Sequence, residues 1–191
     1  MKTKTKIIRL FLEDKKPKTI RDISKRIKSD YKITHMAVKR LIEEEIIKTQ
    51  TIGKSLLCNF NNSYFHIEII KAEEERKEDI FKNKNIKQLY REIMSKIDDS
   101  FFVLLLFGSY AKNKQTKFSD IDLMFISNKN DFEDKISKII SLLPLKIHAL
   151  VFTEEEFIRM KNAKKQNVVH EAIENNIILY NAELYYRLKN V

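Results

Sequence analysis

Glycine is almost absent from this sequence: Gly53 and Gly108 are the only two glycines in 191 residues, and there are only two prolines. Because glycine reaches left-handed backbone conformations that cost other residues energy, each of the two is expected to mark a special turn. We find no repeat and no low-complexity linker. The turn-forming cluster at residues 61–63 is therefore the predicted boundary between an N-terminal domain and the rest of the chain.

Positive charge is concentrated in the first third of the chain. Residues 1–66 carry 16 Lys/Arg and 7 Asp/Glu, whereas residues 67–191 carry 21 and 20. A compact basic module attracts polyanions, and the release of counterions makes nucleic acid the expected partner. A lysine-rich proteome is the alternative explanation of the charge.

The composition favours a cytoplasmic protein without a membrane segment. The longest apolar run, residues 101–107, suits a buried strand and is far shorter than the roughly 20 residues of a spanning helix. Charges and a helical period interrupt the apolar part of the N-terminal segment, which is not expected of a signal peptide. The single cysteine, Cys58, excludes an internal disulfide and a zinc site made of several thiolates.

Residues 1–62 are predicted to form three helices followed by a two-stranded hairpin. Apolar residues at helical spacing indicate the helices. Thr19 with Asp22 three positions later has the pattern of a capping box at the start of the second helix. The third helix is expected over residues 34–45, and the two hairpin strands on either side of Gly53.

This order of elements resembles the winged helix-turn-helix fold of transcription regulators. That family often has a glycine where Glu45 stands, so a less sharp end of the third helix is expected. The resemblance implies that the exposed face of this helix enters the major groove of double-stranded DNA. The residues expected to contact DNA are His35, Lys39 and Arg40 on the helix and Lys54 at the hairpin tip. Ordinary solvated positions, or a protein-binding module, are the alternatives.

Residues 63–97 are predicted to form two linking helices that separate near residues 83–85. The charged run at residues 73–79 is expected to be a solvated helix face with ion pairs along the helix. We therefore expect this segment to connect two domains and to carry no chemistry.

A different pattern begins with the apolar strand at residues 101–107. This strand runs into Gly108-Ser109, and a second strand begins at Asp120-Ile121-Asp122. Because strand side chains alternate, the two carboxylates are expected on one face, where a divalent cation such as Mg²⁺ would offset their repulsion. Gly108 would let the backbone approach closely, so that Ser109 could hold phosphate oxygens. Together these features predict metal-assisted transfer from a nucleoside triphosphate.

Gly108-Ser109, ten further residues and then Asp120-x-Asp122 closely resemble the signature of the minimal nucleotidyltransferases of the DNA polymerase beta superfamily. The resemblance implies that residues 98–191 form a small mixed sheet flanked by helices, so the whole chain is expected to be an α+β protein. It also implies that the two aspartates bind two Mg²⁺ ions and that the Gly-Ser turn holds the triphosphate.

The same resemblance implies a reaction and a set of partners. A nucleoside monophosphate, AMP from ATP, would pass to a hydroxyl group with loss of pyrophosphate. Small proteins of this type often act as antitoxins that adenylylate a toxin of the HEPN class, so such a toxin or another protein is the expected acceptor. DNA binding by the N-terminal domain would fit autoregulation of such a pair.

The chain departs from the family pattern at two positions. His148 stands where a third carboxylate is expected on a later strand. Neutral imidazole is a poor Mg²⁺ ligand but can serve as a general base; a histidine that is merely buried or hydrogen-bonded is the alternative. Asn113 replaces a usual glycine and tolerates a left-handed backbone. The lysines of this loop, Lys112, Lys114 and Lys117, could offset triphosphate charge or simply be solvated.

The departure at the third carboxylate leaves a rival function open. In the rival, the chain is a DNA-binding regulator whose transferase domain binds nucleotide without transferring it. A pure interaction scaffold is a third alternative. The acceptor, the preferred base, the DNA target and the choice between monomer and homodimer stay open.

Overall fold

A division between Glu75 and Arg76 separates two units of this computed structural model, which describes residues 2–53, 55–61 and 65–191. The predicted boundary after residue 62 lies outside the described residues. Within the described ranges, no helix combines the length and the apolar character needed to cross a membrane.

The described residues of the first unit form three helices and a three-stranded sheet. Strand β3 pairs antiparallel with both β1 and β2, which gives the order β1-β3-β2. The predicted helices and hairpin are therefore present, and the two-residue strand β1 is an addition that is too short to give an alternating pattern. The elements are α1 Thr3–Glu13, β1 Lys18–Thr19, α2 Ile20–Arg26, α3 Tyr31–Glu43, β2 Ile47–Ile52 and β3 Ser55–Phe60.

Side-chain caps determine where α2 and α3 begin. The predicted capping box is confirmed, because Thr19 Oγ1 accepts a hydrogen bond from the Asp22 amide and the Asp22 carboxylate accepts one from the Thr19 amide. Helix α3 begins at Tyr31, earlier than predicted, because Asp30 Oδ1 accepts hydrogen bonds from the amides of Lys32 and Ile33.

Helix α3 ends at Glu43 and the chain turns sharply at Glu45, contrary to the expectation. Glu45 adopts the left-handed conformation with φ of 57°. Its amide donates to Ile42 O at 3.0 Å and the Ile46 amide donates to Leu41 O at 2.9 Å, which is the hydrogen-bond pair of a Schellman motif. A glutamate thus occupies a position that usually favours glycine.

The second unit contains a mixed sheet with helices on both sides. The sheet has the order β6-β5-β4-β7; β4 runs antiparallel to β5 and β7, and β5 runs parallel to β6. The predicted mixed sheet flanked by helices is therefore confirmed. The elements after the first unit are α4 Ile67–Ile80, which contains the division, α5 Lys84–Lys96, β4 Val103–Phe107, α6 Gly108–Ala111, β5 Ile121–Ile126, α7 Phe132–Ser141, β6 Ile147–Phe152, α8 Glu154–Lys161, α9 Val168–Glu174, β7 Ile177–Tyr180 and α10 Ala182–Asn190.

One face of this sheet forms a core with α5 and α7. Leu104 and Leu106 of β4 and Leu123 and Phe125 of β5 are fully buried in it. Because strand side chains alternate, the residues between them point to the opposite face. Asp122 lies on that opposite face.

The charged run in α4 is not a fully solvated face, so this expectation is wrong. Glu73 and Arg76 are buried, at 3% and 7% exposure. Arg76 Nη2 donates a hydrogen bond of 2.6 Å to the backbone oxygen of Asn176, 100 residues later. Part of this run therefore contributes to the interior.

Candidate active site

Gly108 and Asp122 are fitted against each other where β4 ends and β5 begins. Phe107, the last residue of β4, pairs in register with Asp122. Gly108 has a φ of 66°, and a Cβ atom added to it would overlap Asp122 Oδ2 and come within 2.9 Å of Asp122 Cγ. Only glycine suits both the backbone conformation and the space, so the Gly108 backbone lies directly against the Asp122 carboxylate.

Asp120 lies just outside the strand. Strand β5 begins at Ile121, which is buried, and its amide donates to Lys146 O at 2.8 Å. Asp120 is exposed, whereas the Asp122 side chain is only 25% exposed. The cost of desolvating the carboxylate pair therefore falls mainly on Asp122.

His148 contacts Asp122 through the pairing of β5 with β6. The two residues are partners in the parallel register, and His148 Nδ1 lies 3.4 Å from Asp122 Oδ1. The His148 side chain is 58% exposed, which excludes a buried histidine and leaves the hydrogen-bonded alternative open. Its ring is therefore open to solvent and lies beside the carboxylate.

The segment after Gly108 forms a short helix before the polar loop. Helix α6 ends in another Schellman motif, in which the Lys114 amide donates to Ser109 O at 2.9 Å. Asn113 has a φ of 52°, which confirms that it takes the left-handed position. Lys112 Nζ donates to Glu171 Oε1 at 2.9 Å and is tied to α9.

The candidate metal ligands from the sequence are the two carboxylates of Asp120 and Asp122. Among the described residues, no group of three or more His, Cys, Asp or Glu side chains is placed to hold a metal ion. The carboxylates of Asp120 and Asp122 are donors of the type that Mg²⁺ takes, because that ion commonly binds one or two carboxylates and completes its coordination with phosphate oxygens and water. The cysteine is excluded, because burial raises the pKa of the Cys58 thiol to about 11 and keeps it protonated at neutral pH.

The expected DNA-contacting residues of α3 lie on one exposed surface. His35, Lys39 and Arg40 are exposed, while Ala37 and Val38 are buried. Lys54 lies outside the described residues.

The sequence analysis missed exposed apolar side chains at both candidate sites. Tyr31, Ile33 and Met36 of α3 are 50%, 53% and 59% exposed, and Phe118 in the loop before Asp120 is 73% exposed. Helical spacing could have shown the first three, because they lie outside the buried stripe of α3. A single apolar residue in a polar loop was the available signal for Phe118.

Comparison with known proteins identifies the family to which the sequence of the second unit is similar. The sequence profile of the family described as "Polymerase beta, Nucleotidyltransferase" matches residues 85–184. The "putative protein adenylyltransferase" of Methanocaldococcus jannaschii is 33% identical over 92 residues, which cover 46% of this chain and 91% of that protein. No solved structure gives a significant match.

Gly108→Ala is expected to destabilise the protein more than Gly53→Ala. Both glycines have a positive φ near 60°, but nothing lies within 4 Å of a Cβ at Gly53. Gly53→Ala should therefore cost about 1–2 kcal/mol from its backbone alone. Gly108→Ala should cost a further 1–3 kcal/mol, approximately, from overlap with Asp122. Urea denaturation measures both changes.

A double-mutant cycle identifies the cause. Asp122→Ala should relieve part of the cost of Gly108→Ala, because it removes the overlapping carboxylate. Strictly additive effects, or equal costs at Gly53 and Gly108, would contradict the described fit.

Proposed function

Because the chain belongs to the polymerase beta nucleotidyltransferase family, we propose that it binds a nucleoside triphosphate and transfers the nucleoside monophosphate to a hydroxyl group. The observation that carries this proposal is the fit of Gly108 against the Asp122 carboxylate inside the matched segment. The name of the archaeal relative supports ATP as the donor and a protein as the acceptor. A HEPN-class toxin is the acceptor that we propose to test first.

Asp120 and Asp122 are the residues that would hold Mg²⁺, and two ions are proposed. When bound, Mg²⁺ neutralises charge on the triphosphate and polarises its phosphoryl oxygens. Gly108 leaves room for phosphate beside the backbone, and the amide and hydroxyl of Ser109 would hold phosphate oxygens.

The proposed reaction is a displacement at the α-phosphorus. The acceptor oxygen forms a bond to that phosphorus, and the bond between the phosphorus and the bridging oxygen of pyrophosphate breaks. Pyrophosphate leaves with the electron pair, and the acceptor loses its proton. His148 is the proposed base for that proton, because its exposed ring lies beside Asp122.

Transfer of a position-specific label tests the proposal. The full chain is incubated with Mg²⁺, an extract of the host cell and ATP labelled on either the α- or the γ-phosphorus. Compared with the extract alone, the chain should add label from the α-position only to a macromolecule and should release pyrophosphate. Asp122→Asn should lower transfer about 100-fold or more, because several kcal/mol of charge stabilisation are lost.

Two outcomes would contradict the reaction. Transfer of the γ-label above the labelling of the extract alone would indicate a phosphotransferase, and equal labelling with Asp122→Asn would indicate another enzyme in the extract. Lys138→Ala, which changes an exposed lysine of α7, is the control expected to transfer like the wild type.

The histidine at position 148 also favours a second function, in which the second unit binds nucleotide without transferring it. It occupies the strand position where the family resemblance expects a carboxylate. If His148 is the base, His148→Ala should lower transfer about 100- to 10,000-fold. An inactive wild type together with an active His148→Asp variant would favour the second function.

For the first unit we propose a winged helix-turn-helix module that binds double-stranded DNA through α3. The excess of positive charge in residues 1–66 supports a polyanionic partner, and α3 has no acidic residue between Asp30 and Glu43. Arg40 would donate hydrogen bonds to the edge of a guanine base, and Lys39 would contact a backbone phosphate. His35 and Lys54 would add further contacts to the DNA. Ile33 and Met36 supply apolar surface of the kind that contacts thymine methyl groups.

A gel shift with a charge-matched control tests this proposal. Changing His35, Lys39 and Arg40 together to alanine should weaken binding to a random-sequence duplex about tenfold or more and lower its salt dependence. Lys164→Ala/Lys165→Ala removes two positive charges, as many as the loss of Lys39 and Arg40, from exposed positions of the second unit and should have little effect. Equal effects of the two changes would contradict the assignment to α3.

A further inference from the structure

Phe118 is an exposed aromatic side chain at the edge of the sheet that carries Gly108 and Asp122. It precedes β5, whose second residue pairs with the last residue of β4. Its side chain is 73% exposed. Phe101, the other strongly exposed phenylalanine in the described part of the second unit, precedes β4 and therefore lies at the opposite edge.

A hydrogen-bonded turn holds the backbone of Phe118. The Thr116 amide donates to Ser119 Oγ at 2.9 Å, and the Ser119 amide donates back to Thr116 O at 3.1 Å. The Phe118 amide donates to Thr116 Oγ1 at 3.3 Å. These bonds order the turn without burying the ring, so the ring is presented to solvent from a fixed backbone.

The surroundings of the ring suit a small planar ligand better than a protein. All the other residues from Lys112 to Asp120 are polar or charged. Lys117 Nζ lies 4.9 Å from the centre of the Phe118 ring. A stable protein interface needs roughly 800 Å² on each partner, which one ring in a polar loop does not supply. A nucleobase matches the ring in size and stacks on aromatic faces.

We propose that Phe118 stacks against the base of the nucleotide whose triphosphate lies at Gly108 and Ser109. This inference rests on the proposed function. Asp120 lies two positions after Phe118 in the sequence, so their Cα atoms are at most about 7 Å apart. A nucleotide is long enough to place its phosphates at the carboxylates and its base at the ring.

Calorimetric titration of the full chain with two probes tests this role. Mg-ATP carries a base, whereas magnesium tripolyphosphate carries only the phosphates. Phe118→Ala should weaken Mg-ATP binding on the order of tenfold, since base stacking contributes about 1–3 kcal/mol, and should leave tripolyphosphate binding unchanged. Phe118→Trp should retain Mg-ATP binding. Phe101→Ala is the matched control and should bind both probes like the wild type.

The outcomes separate this inference from the proposed function. Unchanged Mg-ATP affinity in Phe118→Ala would overturn the stacking role. The exposed ring would then be assigned to contact with the acceptor instead of the nucleotide. An equal loss for both probes would also overturn it, because the ring would then act on the phosphate site. A wild-type chain that binds neither probe would overturn the proposed function and this inference together.

Discussion

The close approach of Gly108 to the Asp122 carboxylate is the constraint on which the candidate site depends. It requires a residue without a side chain at the end of β4 and antiparallel register between Phe107 and Asp122. The same strand β5 pairs in parallel with β6, which brings His148 to the other side of the carboxylate. A glycine, a carboxylate and an imidazole thus meet at one edge because three strands keep their register. A shift of one residue in either pairing would separate them.

Features that depend on nearby residues could be predicted from the sequence. The capping box of Thr19 and Asp22 is a local exchange of hydrogen bonds, so its spacing alone was sufficient. Gly108 was identified as a special position because glycine is rare in this chain, and its positive φ confirms that expectation. Asn113 follows the same reasoning, since asparagine tolerates the left-handed conformation that the turn requires.

Features that depend on distant partners could not be predicted in this way. Arg76 lies in a charged run typical of a solvated helix, but its hydrogen-bond partner Asn176 is 100 residues away. The contact between His148 and Asp122 likewise requires the parallel register of two strands, which no local pattern reveals. Glu45 shows a different limit: the Schellman hydrogen bonds hold a left-handed turn at a residue that does not favour it.

Thermal unfolding with and without Mg-ATP tests the central claim most directly, because it needs no acceptor. A ligand at about 100 times its dissociation constant adds about 2.7 kcal/mol, which should raise the Tm of the wild-type chain by roughly 5 °C or more. The rise should require Mg²⁺ and should disappear in Asp120→Asn/Asp122→Asn, whose carboxylates are gone. A wild type that no nucleoside triphosphate stabilises, or an equal rise in the double variant, would contradict a nucleotide site at this edge of the sheet.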